Sequence, residues 1–128
     1  MNEPQATEGE LAILRVLWER KQPCTVRDVH EALSRHKDTA YTTVLKMMTI
    51  MTEKGLLARD ESERSHRYLP THDEPQVQSA MLKDFMRRAF AGSAVQLVQR
   101  ALDSEAASAE DLDAIEEMIR QARARRGD

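Results

Sequence analysis

The stretch Thr39–Gly55, TAYTTVLKMMTIMTEKG, decides the fold. Thr39 offers the hydroxyl expected of a helix N-cap, Ala40 to Thr43 make a first turn, and Gly55 supplies the stop. Val44, Met47, Met48 and Met51 recur at spacings of three and four, so one face of this helix is buried. The opposite face carries Thr42, Thr43, Lys46, Thr49 and, near the end, Glu53. An ordinary solvated helix fills such positions with Glu, Lys and Gln, which favour helical backbone. A face of hydroxyls around one lysine instead suits a surface that reads something.

Toward the N-terminus, Thr7 and Glu10 have the spacing of a capping box and predict a helix to about Arg20, with Leu11, Leu14 and Leu17 or Trp18 turned inward. Lys21, Gln22 and Pro23 break it, and Cys24 reads as a half-buried thiol before the next helix. Thr25 and Asp28 repeat the box, Val26, Val29, Ala32 and Leu33 form an apolar face, and the helix ends near Arg35 with His30 on its exposed side. A short polar connection, His36 to Asp38, leads into Thr39–Gly55, which makes a helix-turn-helix. Beyond Gly55 the pattern becomes extended: Leu56–Asp60, a polar tip, then His66–Pro70 predict a hairpin. A helix-turn-helix followed by a hairpin is a winged helix. Its wing carries Arg64, His66 and Arg67 beside the Thr39 helix.

Polar residues and a proline from Thr71 to Pro75 place a boundary there, giving a winged-helix domain over 1–71, expected from the residues discussed below to bind DNA, and a helical domain over 72–128, expected to dimerise. The second part holds three helical patterns, over Gln76–Phe90, Ala94–Leu102 and a last one capped by Ser108 with Asp111 three residues on. Three short helices of this size bury too little surface to stand alone. A second copy supplies the missing face in the commonest kind of oligomer. The expected dimerisation residues are Val77, Met81, Phe85, Val98, Leu102, Leu112, Ile115 and Ile119. The fold class is mainly α with a small β-hairpin wing.

Composition narrows the function. In 128 residues, 19 basic side chains stand against 22 acidic ones, and the net charge is −3. Residues 1–71 hold 11 of each sign, so the acidity belongs to the second part and positive charge can still gather on one face of the first. No apolar run approaches the roughly 18 residues of a membrane span, and the N-terminus lacks a signal-peptide pattern, so a cytoplasmic protein without membrane insertion is expected. One cysteine and four scattered histidines form no metal-ligand pattern, and no phosphate loop or nucleophile motif is present. The expectation is a non-enzyme with no metal and no cofactor.

A trihelical core with a hairpin serves protein contacts as well as DNA. The exposed Tyr41, Thr42, Thr43 and Lys46 favour DNA, because an α-helix fits the major groove, where threonine meets a thymine methyl or a phosphate and lysine approaches guanine O6 and N7. Thr39, Arg64, His66 and Arg67 complete the expected DNA-contacting set, the wing residues adding phosphate contacts that salt weakens. A winged-helix protein-interaction module, and a DNA-binding regulator switched by a small ligand, are the competing readings.

Glu10–Trp18 (ELAILRVLW), Thr25–Leu33 (TVRDVHEAL), Ala40–Val44 (AYTTV), Glu53–Leu57 (EKGLL) and His66–Tyr68 (HRY) closely resemble the penicillinase repressor family of bacterial transcription regulators, and the helical tail is similar to that family's dimerisation region. The resemblance implies a homodimeric winged-helix repressor on a palindromic operator in double-stranded DNA, controlling β-lactamase, other resistance or cell-envelope genes. It implies that Thr42, Thr43 and Lys46 lie at the contacting turns, and that a membrane-bound sensor protease pathway ends repression by cleavage in the tail. The family's Asn-Phe cleavage point falls near Arg100-Ala101, where that dipeptide is absent. The cysteine cluster of the copper-responsive branch is absent too.

Overall fold

The computed structural model describes residues 3–127. Their elements are α1 (Glu8–Arg20), α2 (Val26–Ser34), α3 (Tyr41–Glu53), β1 (Leu57–Asp60), β2 (Arg67–Pro70), α4 (Glu74–Phe90), α5 (Ala94–Asp103) and α6 (Ala109–Arg126). They divide into two units, Met1–Lys83 and Asp84–Asp128, with the division inside α4.

Local chemistry sets the helix starts. Thr7 with Glu10, Thr25 with Asp28 and Ser108 with Asp111 each form both hydrogen bonds of a capping box, as their spacing predicts. The expectation for Thr39 is corrected. Ala40 is the N-cap of α3 and makes no side-chain cap bond, while the Thr39 hydroxyl donates to the Lys37 carbonyl at 3.1 Å. At the other end of α3 the Leu56 N–H donates to the Met51 carbonyl and the Gly55 N–H to that of Thr52, a Schellman motif that requires the φ of +84° at Gly55. This turn sends the chain directly into β1.

The two strands pair antiparallel, Leu57 opposite Pro70 and Asp60 opposite Arg67. Cys24 extends the pairing from the far side: its N–H donates to the Tyr68 carbonyl at 3.0 Å and its carbonyl accepts from the Tyr68 N–H at 2.7 Å. The link between α1 and α2 is thereby tied to β2, which fixes the wing against the helices. Cys24 is fully buried rather than half-buried, and burial, with the Asp28 carboxylate, pushes its thiol further up from an already unreactive value.

Ile13, Leu14, Leu17, Val29, Val44, Met48 and Met51 form a core closed by Leu56, Leu57 and Tyr68. The α1 helix fits closely over α3: a Cβ added at Gly9 would stand 2.8 Å from the Met47 terminal methyl. Glu10, itself buried, accepts from the Lys54 ammonium at 2.8 and 3.0 Å and ties the start of α1 to the end of α3. Trp18 packs at the edge of the core and its indole N–H donates to the His72 carbonyl at 3.0 Å.

The same core takes in the opening of α4. That helix begins earlier than its proline suggests, because Asp73 and Gln76 cap each other's backbone N–H groups and Pro75, inside the first turn, needs no donor there. Val77, 1% exposed, belongs to the core, Ala80 is buried, and the Gln5 amide donates to the Ala80 carbonyl. Val77 therefore has no surface to offer a second copy, and its expected place in a dimer interface is corrected. Periodicity shows that one face of α4 is covered, but not by what.

The second unit contains the end of α4, with α5 and α6. Phe85 and Phe90 meet edge to face at 5.7 Å, and Met86, Leu97, Ile115 and Ala122 are half-buried. Among its described residues none is buried. Phe85, Val98, Leu102, Leu112 and Ile119 are each between 39% and 50% exposed.

Candidate nucleic-acid interface

The core-facing residues Val44, Met48 and Met51 seat α3 so that Thr42, Thr43 and Lys46 point outward. No hydrogen bond or ion pair engages those three side chains among the described residues. Thr49 is half-buried and its hydroxyl donates back to the Leu45 carbonyl at 2.9 Å, so it is less free than its position in the repeat suggests. Tyr41 is exposed, with its ring edge to face against His30. Thr39 is half-buried and occupied: its hydroxyl serves Lys37, and its carbonyl accepts from His30 Nε2 at 2.7 Å. His30 is thus half-buried and bonded, where the helical pattern alone leaves it on an exposed face.

The turn before α3 adds Arg35 and Lys37, both exposed and without ion pairs among the described residues. Their charge and their place before an outward-facing helix are visible in the sequence and could have marked them. The wing differs. Arg59 pairs with Glu61 at 2.9 Å, Arg67 lies 3.9 Å from Glu63, and Asp60 accepts from the Ser62 N–H at 2.9 Å, which holds its carboxyl below the usual range. Arg64 is exposed and unpaired among the described residues, and His66 is half-buried. The wing therefore satisfies much of its own charge, whereas Arg35 and Lys37 on the turn, beside the acidic Asp38, and Lys46 on α3 make no ion pair among the described residues.

Arg100 and Ala101 are exposed in the last turns of α5, Arg100 pairing with Asp103 at 3.1 Å. Among the described residues no group of His, Cys, Asp or Glu could hold a metal, and no helix is long and apolar enough to cross a membrane.

An outward helix of hydroxyls and a lysine, seated on a trihelical core beside a hairpin, is the arrangement of a winged-helix reader. The family model described as penicillinase repressor matches residues 6–121. The chain belongs to the penicillinase repressor family. Among relatives of this family member, the transcriptional regulator BlaI of Mycobacterium tuberculosis is 39% identical over 80 residues, 62% of this chain and 58% of that protein. The match thus spans little more than half the length of that relative. The penicillinase repressor of Bacillus licheniformis is 23% identical over 118 residues, 92% of this chain and 91% of that one. The solution structure of monomeric Bacillus licheniformis BlaI with the blaP half-operator is similar, with a TM-score of 0.50 and 25% identity, covering 59% of this chain and 90% of that one. The penicillinase repressor family consists of transcriptional repressors, not enzymes.

Proposed function

We propose that this family member is a homodimeric repressor that reads a palindromic operator with α3. The observation that carries this reading is the outward set Thr42, Thr43 and Lys46, free of partners among the described residues and backed by a fully buried face. Threonine and lysine match base edges and phosphates in the major groove. Arg35 and Lys37 on the turn, with Arg64 on the wing, supply phosphate contacts that position the helix. The relative from Bacillus licheniformis, solved with half of an operator, supports DNA as the ligand. A DNA ligand and the lack of a spanning helix among the described residues agree with action in the cytoplasm.

In this reading residues 1–71 hold DNA and 72–128 join two copies, the opening of α4 also completing the core of the first unit. The apolar side chains Phe85, Val98, Leu102, Leu112 and Ile119 form the pairing surface, with Ile115 beside them. Met81, half-buried against the first core, contributes at most its exposed edge. Among its described residues the second unit buries none fully by itself, and a symmetric partner removes that deficit. Repression follows from occupying a promoter of resistance or cell-envelope genes. A sensor protease pathway would act on the tail, where a cut at the exposed Arg100-Ala101 separates α6 from the reading half.

Selecting bound duplexes from a random DNA pool tests the whole reading. Enrichment of a two-fold symmetric sequence whose half-sites lie roughly 10 base pairs apart, or a small multiple, is expected. Retention of no duplex at low salt overturns it. On the selected duplex, Lys46→Ala weakens binding by about 1–3 kcal/mol if the lysine reads a base. Unchanged affinity at fixed salt removes Lys46 from the contact set.

A further inference from the structure

The helix that faces DNA starts differently from its neighbours. Helices α1, α2, α5 and α6 each begin with a side-chain oxygen accepting from a backbone N–H of the first turn. Helix α3 has Ala40 there and no such bond. Its start is held from another helix. His30, on the α2 face toward the turn, bonds through Nε2 to the Thr39 carbonyl at 2.7 Å, and its ring meets that of Tyr41 at 5.7 Å and 77°. A carbonyl has no proton to give, so Nε2 is the donor. One side chain therefore grips the residue before the N-cap and the first residue of the helix.

We propose that His30 is a positioning residue for sequence reading: by donating to the Thr39 carbonyl it holds, from α2, the residue before the uncapped N-terminus and sets the angle at which α3 leaves the turn. The proposal rests on α3 being the DNA-reading helix. An ordinary cap steadies only its own helix, whereas a bond from α2 couples the orientation of α3 to the helix behind it. Contacts to base edges need such support, because small displacements forfeit their geometry. Phosphate contacts from flexible Arg35 and Lys37 do not. Losing His30 thus separates specific from non-specific affinity, an effect that general loosening of the core would not produce.

The test uses the full chain, a duplex selected from a random pool by the unaltered protein, and a scrambled duplex of equal length and composition. His30→Gln places an amide N–H close to the Nε2 position, while His30→Leu removes the donor and His30→Asn keeps an amide that is too short to reach Thr39. His30→Leu and His30→Asn should each lose about tenfold on the selected duplex, the size of one well-made hydrogen bond, with unchanged affinity for the scrambled one. His30→Gln should recover most of the loss. Equal affinity of all variants for the selected duplex overturns the proposal, as does equal loss on both duplexes or a glutamine no better than leucine. The parent reading fails separately, if the unaltered protein does not distinguish the two duplexes. Should His30→Leu not fold, the asparagine and glutamine pair decides alone.

Discussion

The two units use apolar residues in opposite ways. In the first, Ile13, Leu17, Val44 and Met48 are almost wholly removed from water, and even the charged Glu10 is enclosed with a partner. In the second, side chains of the same kind, Leu112 and Ile119 among them, are left about half in solvent. Hydrophobic burial stabilises a fold by roughly 25 cal/mol for each Å² of apolar surface removed from water. The first unit collects that stabilisation within one chain. The second leaves such side chains in solvent, and in the proposed dimer their burial would come only with pairing.

The sharpest way to break this contrast is to charge the exposed stripe. If the proposed dimer forms through this stripe, Ile119→Asp or Phe85→Asp should convert it to monomer in sedimentation while the first unit keeps its melting transition. Two linked readers gain on the order of 10²–10⁴ in avidity over one, so affinity for a full palindrome should fall by a factor in that range. Affinity for a single half-site should change little. An intact dimer in both variants would remove the stripe from the interface.

A cut in the first core tests the other side of the contrast. Met48→Ala deletes a fully buried side chain and should cost about 2–5 kcal/mol of stability in urea unfolding, whether or not the chains are paired. Dependence of that loss on protein concentration would mean that the stability of the first unit is coupled to self-association.

What the sequence discloses follows the same division. The boxes at Thr7, Thr25 and Ser108 are readable because both halves of each lie within four residues, and the stripe Val44, Met48, Met51 because burial follows helical period. Thr39 misleads because a hydroxyl in the right neighbourhood need not be the cap, and here it serves Lys37 instead. Val77 misleads because a periodic apolar position looks the same whether its cover is the same chain or another. The His30–Thr39 bond and the Cys24–Tyr68 pairing join residues from separate elements, and nothing local announces them. On the outward face of α3, Thr42, Thr43 and Lys46 are legible since outward direction follows from the buried stripe, while the pairing of Arg59 and Arg67 with acidic neighbours needs the folded wing.

The smallest effect concerns Glu10, a charged side chain buried in the first core. Burial works to raise its carboxyl, but the Lys54 ammonium and the Thr7 backbone N–H outweigh it and hold the group below its ordinary value of 4.5. A depressed folded value means that the ionised form stabilises the fold above the ordinary value, and that this contribution disappears as pH falls through the folded one. Glu10→Gln keeps the capping bond to Thr7 and loses the charge. Because Lys54 is 42% exposed, water already screens the pair, and the expected loss near neutral pH is about 1 kcal/mol. Urea midpoints of the two proteins should differ at neutral pH and converge in acid, where the protonated glutamate is nearly the isostere of glutamine. A gap of constant size across that range would show that Glu10 ties α1 to α3 through shape and hydrogen bonding alone, with no contribution from its charge.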